Sequence, residues 1–263
     1  QNIEKKYRQL VADKYRKHDV QGFVQVEKII RLPLKEVYSE LGLIPLNQKR
    51  EDDEELSHME LLRPSETKRL EKEMRHMDER VTRLLEEQPR LVILGKPGSG
   101  KTISLKFITL MLTMGQVGTA QLGLEAPYLP IYIRLAEFAD ALLKQQTLSL
   151  EAFLIQYLKD KYPGVPRQDE FLQAALQNGA CMILLDGLDE VGDIGDKLIR
   201  GQTLRKTVLR EVQSFTDQRC GENCKNRIVV TSRLEGYHHG DLADFAEAEL
   251  SALRIPDEVQ AFL

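Results

Sequence analysis

The sequence predicts an α/β fold in three layers, a parallel sheet covered by helices on both faces. Three observations predict it. Beyond Pro89, apolar runs of strand length alternate with stretches patterned as helices; strands buried on both faces read as near-continuous apolar runs, and intervening helices keep them parallel. A glycine-containing turn at residues 95–100 joins the first of these runs to a helix. A further run, residues 181–185, leads into Asp186, a carboxylate at the edge from which a parallel sheet meets its ligands.

Composition narrows the class. A chain of 263 residues is long enough for one substantial α/β domain plus a smaller attachment. Hydrophobic residues make up 42% and charged residues 30%, with a formal net charge of −4, which excludes a disordered chain and a broad attraction for nucleic acid. No apolar run approaches the ~20 residues that span a bilayer, and residues 1–6 lack the apolar core of a secretory signal, so a cytoplasmic location is expected. Three cysteines do not make a disulfide framework, and Cys181 sits in an apolar run that suits a small buried side chain. Cys220 and Cys224 fall in a polar, glycine-containing stretch with His238 and His239 downstream, but their spacing matches no standard zinc pattern.

In chain order, residues 1–62 read as a small, mainly helical N-terminal segment and an acidic linker. Phe23-Val24-Gln25-Val26 alternates like a short strand, and Glu51-Asp52-Asp53-Glu54-Glu55 is self-repelling and without apolar anchors. Residues 63–88 read as an amphipathic helix, with Ser65 as N-cap, Leu70, Met74, Met77, Val81, Leu84 and Leu85 at helical spacing, and Pro89 as the stop. Its stripe lasts under four heptads, which favours packing on the neighbouring domain over a coiled-coil partner. The α/β domain follows over 89–252, with strands at 91–94, 129–135, 181–185, 227–231 and 245–250 and helices from 101, at about 149–158 and at 169–177. Residues 253–263 read as the opening of a truncated helical domain.

The chemistry concentrates at the strand ends. Gly95-Lys96-Pro97-Gly98-Ser99-Gly100-Lys101-Thr102 matches G-x-x-x-x-G-K-[ST] in full, between a strand and a helix as that pattern requires. A loop that closes around phosphate must aim backbone N–H groups inward, and glycine permits the positive φ this demands. Pro97 has no N–H, so the donors are expected from Gly98 to Thr102, at a helix start whose dipole favours an anion. Lys101 is expected at the β- and γ-phosphates, and the Thr102 hydroxyl at Mg²⁺, with Asp186 holding the metal's shell. Asp189 and Glu190 follow within four residues of Asp186; either carboxylate can orient or deprotonate an attacking water, Glu190 being the first choice and Asp189 the second. The run 227–231 leads through Ser232 to Arg233, whose guanidinium is a candidate γ-phosphate contact that would distinguish ATP from ADP.

With these residues assembled, the chain resembles the NACHT family of STAND P-loop ATPases. The resemblance rests on Gly95 to Thr102, on Leu129-Pro130-Ile131-Tyr132-Ile133-Arg134-Leu135, on Leu184-Leu185-Asp186-Gly187-Leu188-Asp189-Glu190-Val191, and on Thr231-Ser232-Arg233 with Gly236-Tyr237. It covers residue 90 to the end, and more loosely 31–45. It implies a sheet in the order 5-1-4-3-2 and a nucleotide site of Gly95, Lys96, Pro97, Gly98, Ser99, Gly100, Lys101, Thr102 and Ile103. Pro33-Leu34-Lys35-Glu36-Val37-Tyr38-Ser39 is similar to a family segment that packs on the base, which makes Tyr38 and Ser39 adenine-site candidates, with a plain packing role as the alternative. The resemblance further implies ATP or ADP with Mg²⁺ as cofactors, slow regulatory hydrolysis carried by Glu190, Asp189, Arg233 and Lys101, and self-association in signalling of an immune or defence type. Two other readings are an ADP-locked scaffold that never hydrolyses and a P-loop phosphotransferase; nothing in the sequence resembles an acceptor site for the latter.

Overall fold

The computed structural model describes residues 3–15, 17–19, 31–33, 84–192, 198–199, 201–220 and 225–250. The strand expected at 23–26, the acidic linker, Tyr38, Ser39, most of the amphipathic helix, Cys224 and residues 253–263 lie outside them.

The chain opens with α1 (Ile3–Tyr15), followed by a small antiparallel pair, β1 (Lys17–Asp19) with β2 (Arg31–Pro33). Residues 84–87 are helical, Leu85 is buried, and Leu84 packs against the same core, so these last two members of the expected stripe do face the domain.

The domain then alternates as the apolar runs require. It comprises β3 (Arg90–Leu94), α2 (Lys101–Thr113), α3 (Gln116–Gln121), β4 (Leu129–Arg134), α4 (Leu135–Lys144), α5 (Leu150–Lys161), α6 (Gln168–Gln177) and β5 (Cys181–Asp186). A short ribbon of β6 (Leu198–Ile199) and β7 (Gln202–Thr203) follows, then α7 (Leu204–Arg219), β8 (Arg227–Ser232) and β9 (Ala246–Glu249).

Five of these strands form one sheet in the order β4-β5-β8-β3-β9, every pairing parallel. The expected 5-1-4-3-2 counts sheet strands only; the chain inserts the β6–β7 ribbon, which pairs with itself, and a count that takes the ribbon as one further strand reads 2-3-5-1-6. Side chains follow position in the sheet. All six residues of β5 are buried, as an inner strand covered on both faces demands, whereas edge strand β9 alternates half-buried Ala246 and Ala248 with exposed Glu247 and Glu249. Pro130 sits in β4, the opposite edge, where a missing N–H is tolerated.

Two helices differ from the sequence reading. The run 129–135 was expected to be strand throughout, but the chain turns into α4 at Leu135, whose side chain is fully buried. α7 was not expected at all: it is rich in polar residues, and only the spacing of Leu204, Val208, Val212 and Phe215 marks its buried stripe. α5, expected over about 149–158, runs to Lys161, and Ser149 caps it, accepting from the Ala152 N–H at 3.2 Å.

α1 is bound into the same core. Tyr7 is fully buried and its hydroxyl donates to the Pro130 carbonyl at 2.8 Å. The buried Arg8 guanidinium donates to the carbonyls of Leu112, Tyr128 and Pro127 and pairs with Glu4 at 2.8 Å, so its fork of donors is met by backbone oxygens and one carboxylate. At the same end of the sheet, where the parallel strands begin, buried Asn226 accepts from the Cys181 N–H at 2.9 Å and donates to the carbonyls of Leu176 and Arg219, tying two helix ends to the start of β5.

Cys220 is not in the exposed loop expected for it; it closes α7 and is buried. Among the described residues, no group of three or more His, Cys, Asp or Glu converges as a metal cluster, and no helix is long and apolar enough to cross a membrane.

Candidate functional site

β8 lies between β3 and β5, so the turn that follows β3 and the carboxylate that ends β5 are one strand apart at the C-terminal edge of the sheet. Between β3 and α2 the chain makes its turn through Gly98 (φ +75°) and Gly100 (φ +90°). Both are left-handed, a conformation that glycine adopts without strain. Gly100 is the N-cap of α2 and carries no side-chain cap, so the amides of the first helical turn have no side-chain acceptor of the usual kind. The Ser99 N–H closes the turn onto the Lys96 carbonyl at 3.1 Å, which takes it out of the expected donor set.

Lys101 folds back over this turn. Its Nζ donates to the carbonyls of Gly95 at 2.6 Å and Lys96 at 3.0 Å, and lies 3.5 Å from Ser99 Oγ. Partial burial lowers its pKa, opposed by the carboxylate of Asp189; Arg233 adds to the lowering, and Asp186 counters it. These four side chains therefore share one electrostatic neighbourhood.

Asp186, 4% exposed, is held on both oxygens by neutral hydroxyls. Oδ1 accepts from Thr231 at 2.7 Å and Thr102 at 3.2 Å, and Oδ2 accepts from Tyr132 at 2.8 Å. Thr231 Oγ1 also accepts from the Gly187 N–H at 2.9 Å, so one hydroxyl joins the tip of β8 to the turn after β5. Among the described residues Asp186 makes no ion pair. A buried carboxylate so placed favours a cation, and the hard oxygens of Asp186 and Thr102 suit Mg²⁺.

The short 3-10 turn Leu188–Glu190 carries the other two carboxylates. Asp189 accepts from the Arg233 N–H at 2.9 Å through Oδ1 and pairs with Arg233 Nε at 2.8 Å through Oδ2. This approach requires Gly236: a Cβ there would stand 2.6 Å from Asp189 Cβ. Glu190 Oε2 is 2.5 Å from Arg134 Nη2, and the two side chains are 40% and 52% exposed.

The edge thus gathers Lys101, Thr102, Asp186, Asp189, Glu190 and Arg233. Three of these are held in ion pairs that the sequence did not reveal: Arg233 and Asp189 with each other, and Glu190 with Arg134. Tyr132, Thr231 and Arg134 were missed as site residues. Arg134 is the register partner of Asp186, and Tyr132 lies two residues back on the same face, a relation legible only once β4 is known to neighbour β5.

No protein-family model and no curated protein matches the chain. Among solved structures it is similar to AMPPCP-bound DnaA from Aquifex aeolicus, with 15% identity and a TM-score of 0.34, over 76% of this chain and 53% of that one. An overlap this loose speaks to neither substrate nor activity.

Proposed function

We propose that this chain is the nucleotide-binding core of a NACHT-type P-loop ATPase, a switch that binds ATP or ADP with Mg²⁺ and hydrolyses ATP slowly. The observation that carries the reading is the left-handed turn at Gly98 and Gly100, which opens α2 with Lys101 and Thr102 one strand away from the buried Asp186. Such a turn at a helix N-terminus is a phosphate site.

Each side chain then has a task. Lys101 exchanges the Gly95 and Lys96 carbonyls for phosphate oxygens. Asp186 and Thr102 hold the Mg²⁺, which when bound neutralises phosphate charge. Asp189, which accepts from the Arg233 N–H through Oδ1 and pairs with its guanidinium through Oδ2, has the task of holding Arg233, and Glu190, engaged through Oε2 alone, is the first choice of base. Arg233, released from Asp189, reads the γ-phosphate, and that exchange of partners is a source of unequal affinity for ATP and ADP, without which no ligand shifts a conformational equilibrium. Tyr38 and Ser39 contribute to the adenine site. The domain, residues 89–252, self-associates, and the output is a signal of the immune or defence type.

A second reading, an ADP-holding scaffold without hydrolysis, is favoured by the pairing of both Glu190 and Arg233 in ion pairs. Thermal melts with Mg-ADP and Mg-ATP test the first step: at a hundred times Kd each adds about 2.7 kcal/mol. Lys101→Ala is expected to abolish that gain, and no shift with either nucleotide in the unaltered chain would end both readings. Phosphate release on ATP then separates switch from scaffold.

A further inference from the structure

The N-terminal helix reaches the candidate metal site through two tyrosines. Tyr132 donates to Asp186 Oδ2, and its ring is covered edge-on by Tyr15 of α1, with centroids 5.5 Å apart and planes at 68°. Both rings are buried, at 6% exposure each.

α1 is also bolted to the strand that carries Tyr132 and to the helix that begins beside Thr102. Tyr7 and Arg8 hold the carbonyls of Pro127, Tyr128 and Pro130 at the entry to β4, the strand that carries Tyr132. Arg8 holds the Leu112 carbonyl near the end of α2, the helix that begins with Lys101 and Thr102. A shift of α1 therefore moves Tyr15 against Tyr132 while pulling on both supports.

We infer that Tyr132 is a positioning residue through which α1 sets the orientation of the Asp186 carboxylate, and hence the affinity of the site for Mg²⁺. This rests on the proposed nucleotide–Mg²⁺ site. Groups that orient a metal's ligands control its affinity, and their loss typically costs 10–100-fold. Of the three hydroxyls on Asp186, that of Tyr132 alone holds Oδ2, and it alone stands on a strand clamped by α1.

The test follows nucleotide-bound full chain through a Mg²⁺ titration read by thermal melt, with Mn²⁺ binding by electron paramagnetic resonance as a second readout. Tyr132→Phe keeps the ring and its packing and removes one hydroxyl. It is expected to raise the Mg²⁺ needed for half of the stabilisation by about tenfold, leaving nucleotide binding in EDTA unchanged. Tyr15→Leu is expected to act in the same direction by about threefold, below the range for direct partners, and Tyr15→Phe to restore the unaltered behaviour. An unchanged Mg²⁺ requirement in Tyr132→Phe overturns the positioning role, and an unchanged one in Tyr15→Leu alone overturns the link to α1. Failure of the unaltered chain to bind nucleotide is a different result and overturns the parent reading with this one.

Discussion

Asp186 and Glu190 stand four residues apart and are held in opposite ways. Asp186 is buried, and three neutral hydroxyls from three different elements fix both its oxygens. Glu190 is 40% exposed and is held through one oxygen by a half-exposed arginine. The first arrangement is costly to rearrange, because each hydroxyl would be left buried without a partner. The second is cheap to break, since an exposed ion pair is worth little and is screened by salt. Five residues, 186–190, thus combine a fixed carboxylate, suited to hold a metal, with a releasable one, suited to act and to let go.

That contrast can be broken most forcefully through turnover. Glu190→Gln should cut ATP hydrolysis by about 10²–10⁴-fold, the range for a general base, with nucleotide affinity unchanged; equal phosphate release by both proteins would remove Glu190 from the chemistry. Next comes the fixed carboxylate itself: Asp186→Asn should raise the Mg²⁺ requirement by more than about 100-fold, beyond the range for outer partners, while binding in EDTA persists. A Mg²⁺ titration of nucleotide-dependent melting reads this directly. Thr231→Val sharpens the stability side. It removes a donor to Asp186 and leaves the Gly187 N–H without its acceptor, so urea unfolding should show a loss of about 1–3 kcal/mol. The smallest effect is expected from Arg134→Ala, which should cost under about 1 kcal/mol and less again at high salt. A large loss there would mean that the Arg134–Glu190 pair is structural and not releasable.

How much of this was legible depends on the element. The strands that carry the site stood out because inner strands covered on both faces must be apolar along their whole length, as residues 181–185 are. The glycine turn stood out because its backbone demands glycine at positions where other residues are strained, and the structure places Gly98 and Gly100 there. α7 stayed hidden, since a helix on the outer layer needs only a narrow apolar stripe among polar residues. α4 was absorbed into the preceding strand because Ile131, Ile133 and Leu135 continue one apolar pattern across the boundary at Arg134.

The amino-acid sequence by itself determined the α/β class with its parallel sheet, the position of the glycine turn, and the choice of Lys101, Thr102, Asp186, Asp189 and Glu190 as candidates at the strand ends. Those features depend on local rules, on backbone conformation and on burial within single strands. Only the tertiary structure decided who holds whom: Tyr132 and Thr231 on Asp186, Arg233 on Asp189, Arg134 on Glu190, and Tyr15 of α1 behind Tyr132. Partners such as Tyr15 and Tyr132 lie more than a hundred residues apart, and no local rule brings them together; they meet because parallel pairing sets β4 beside β5 and because α1 packs onto β4 and α2.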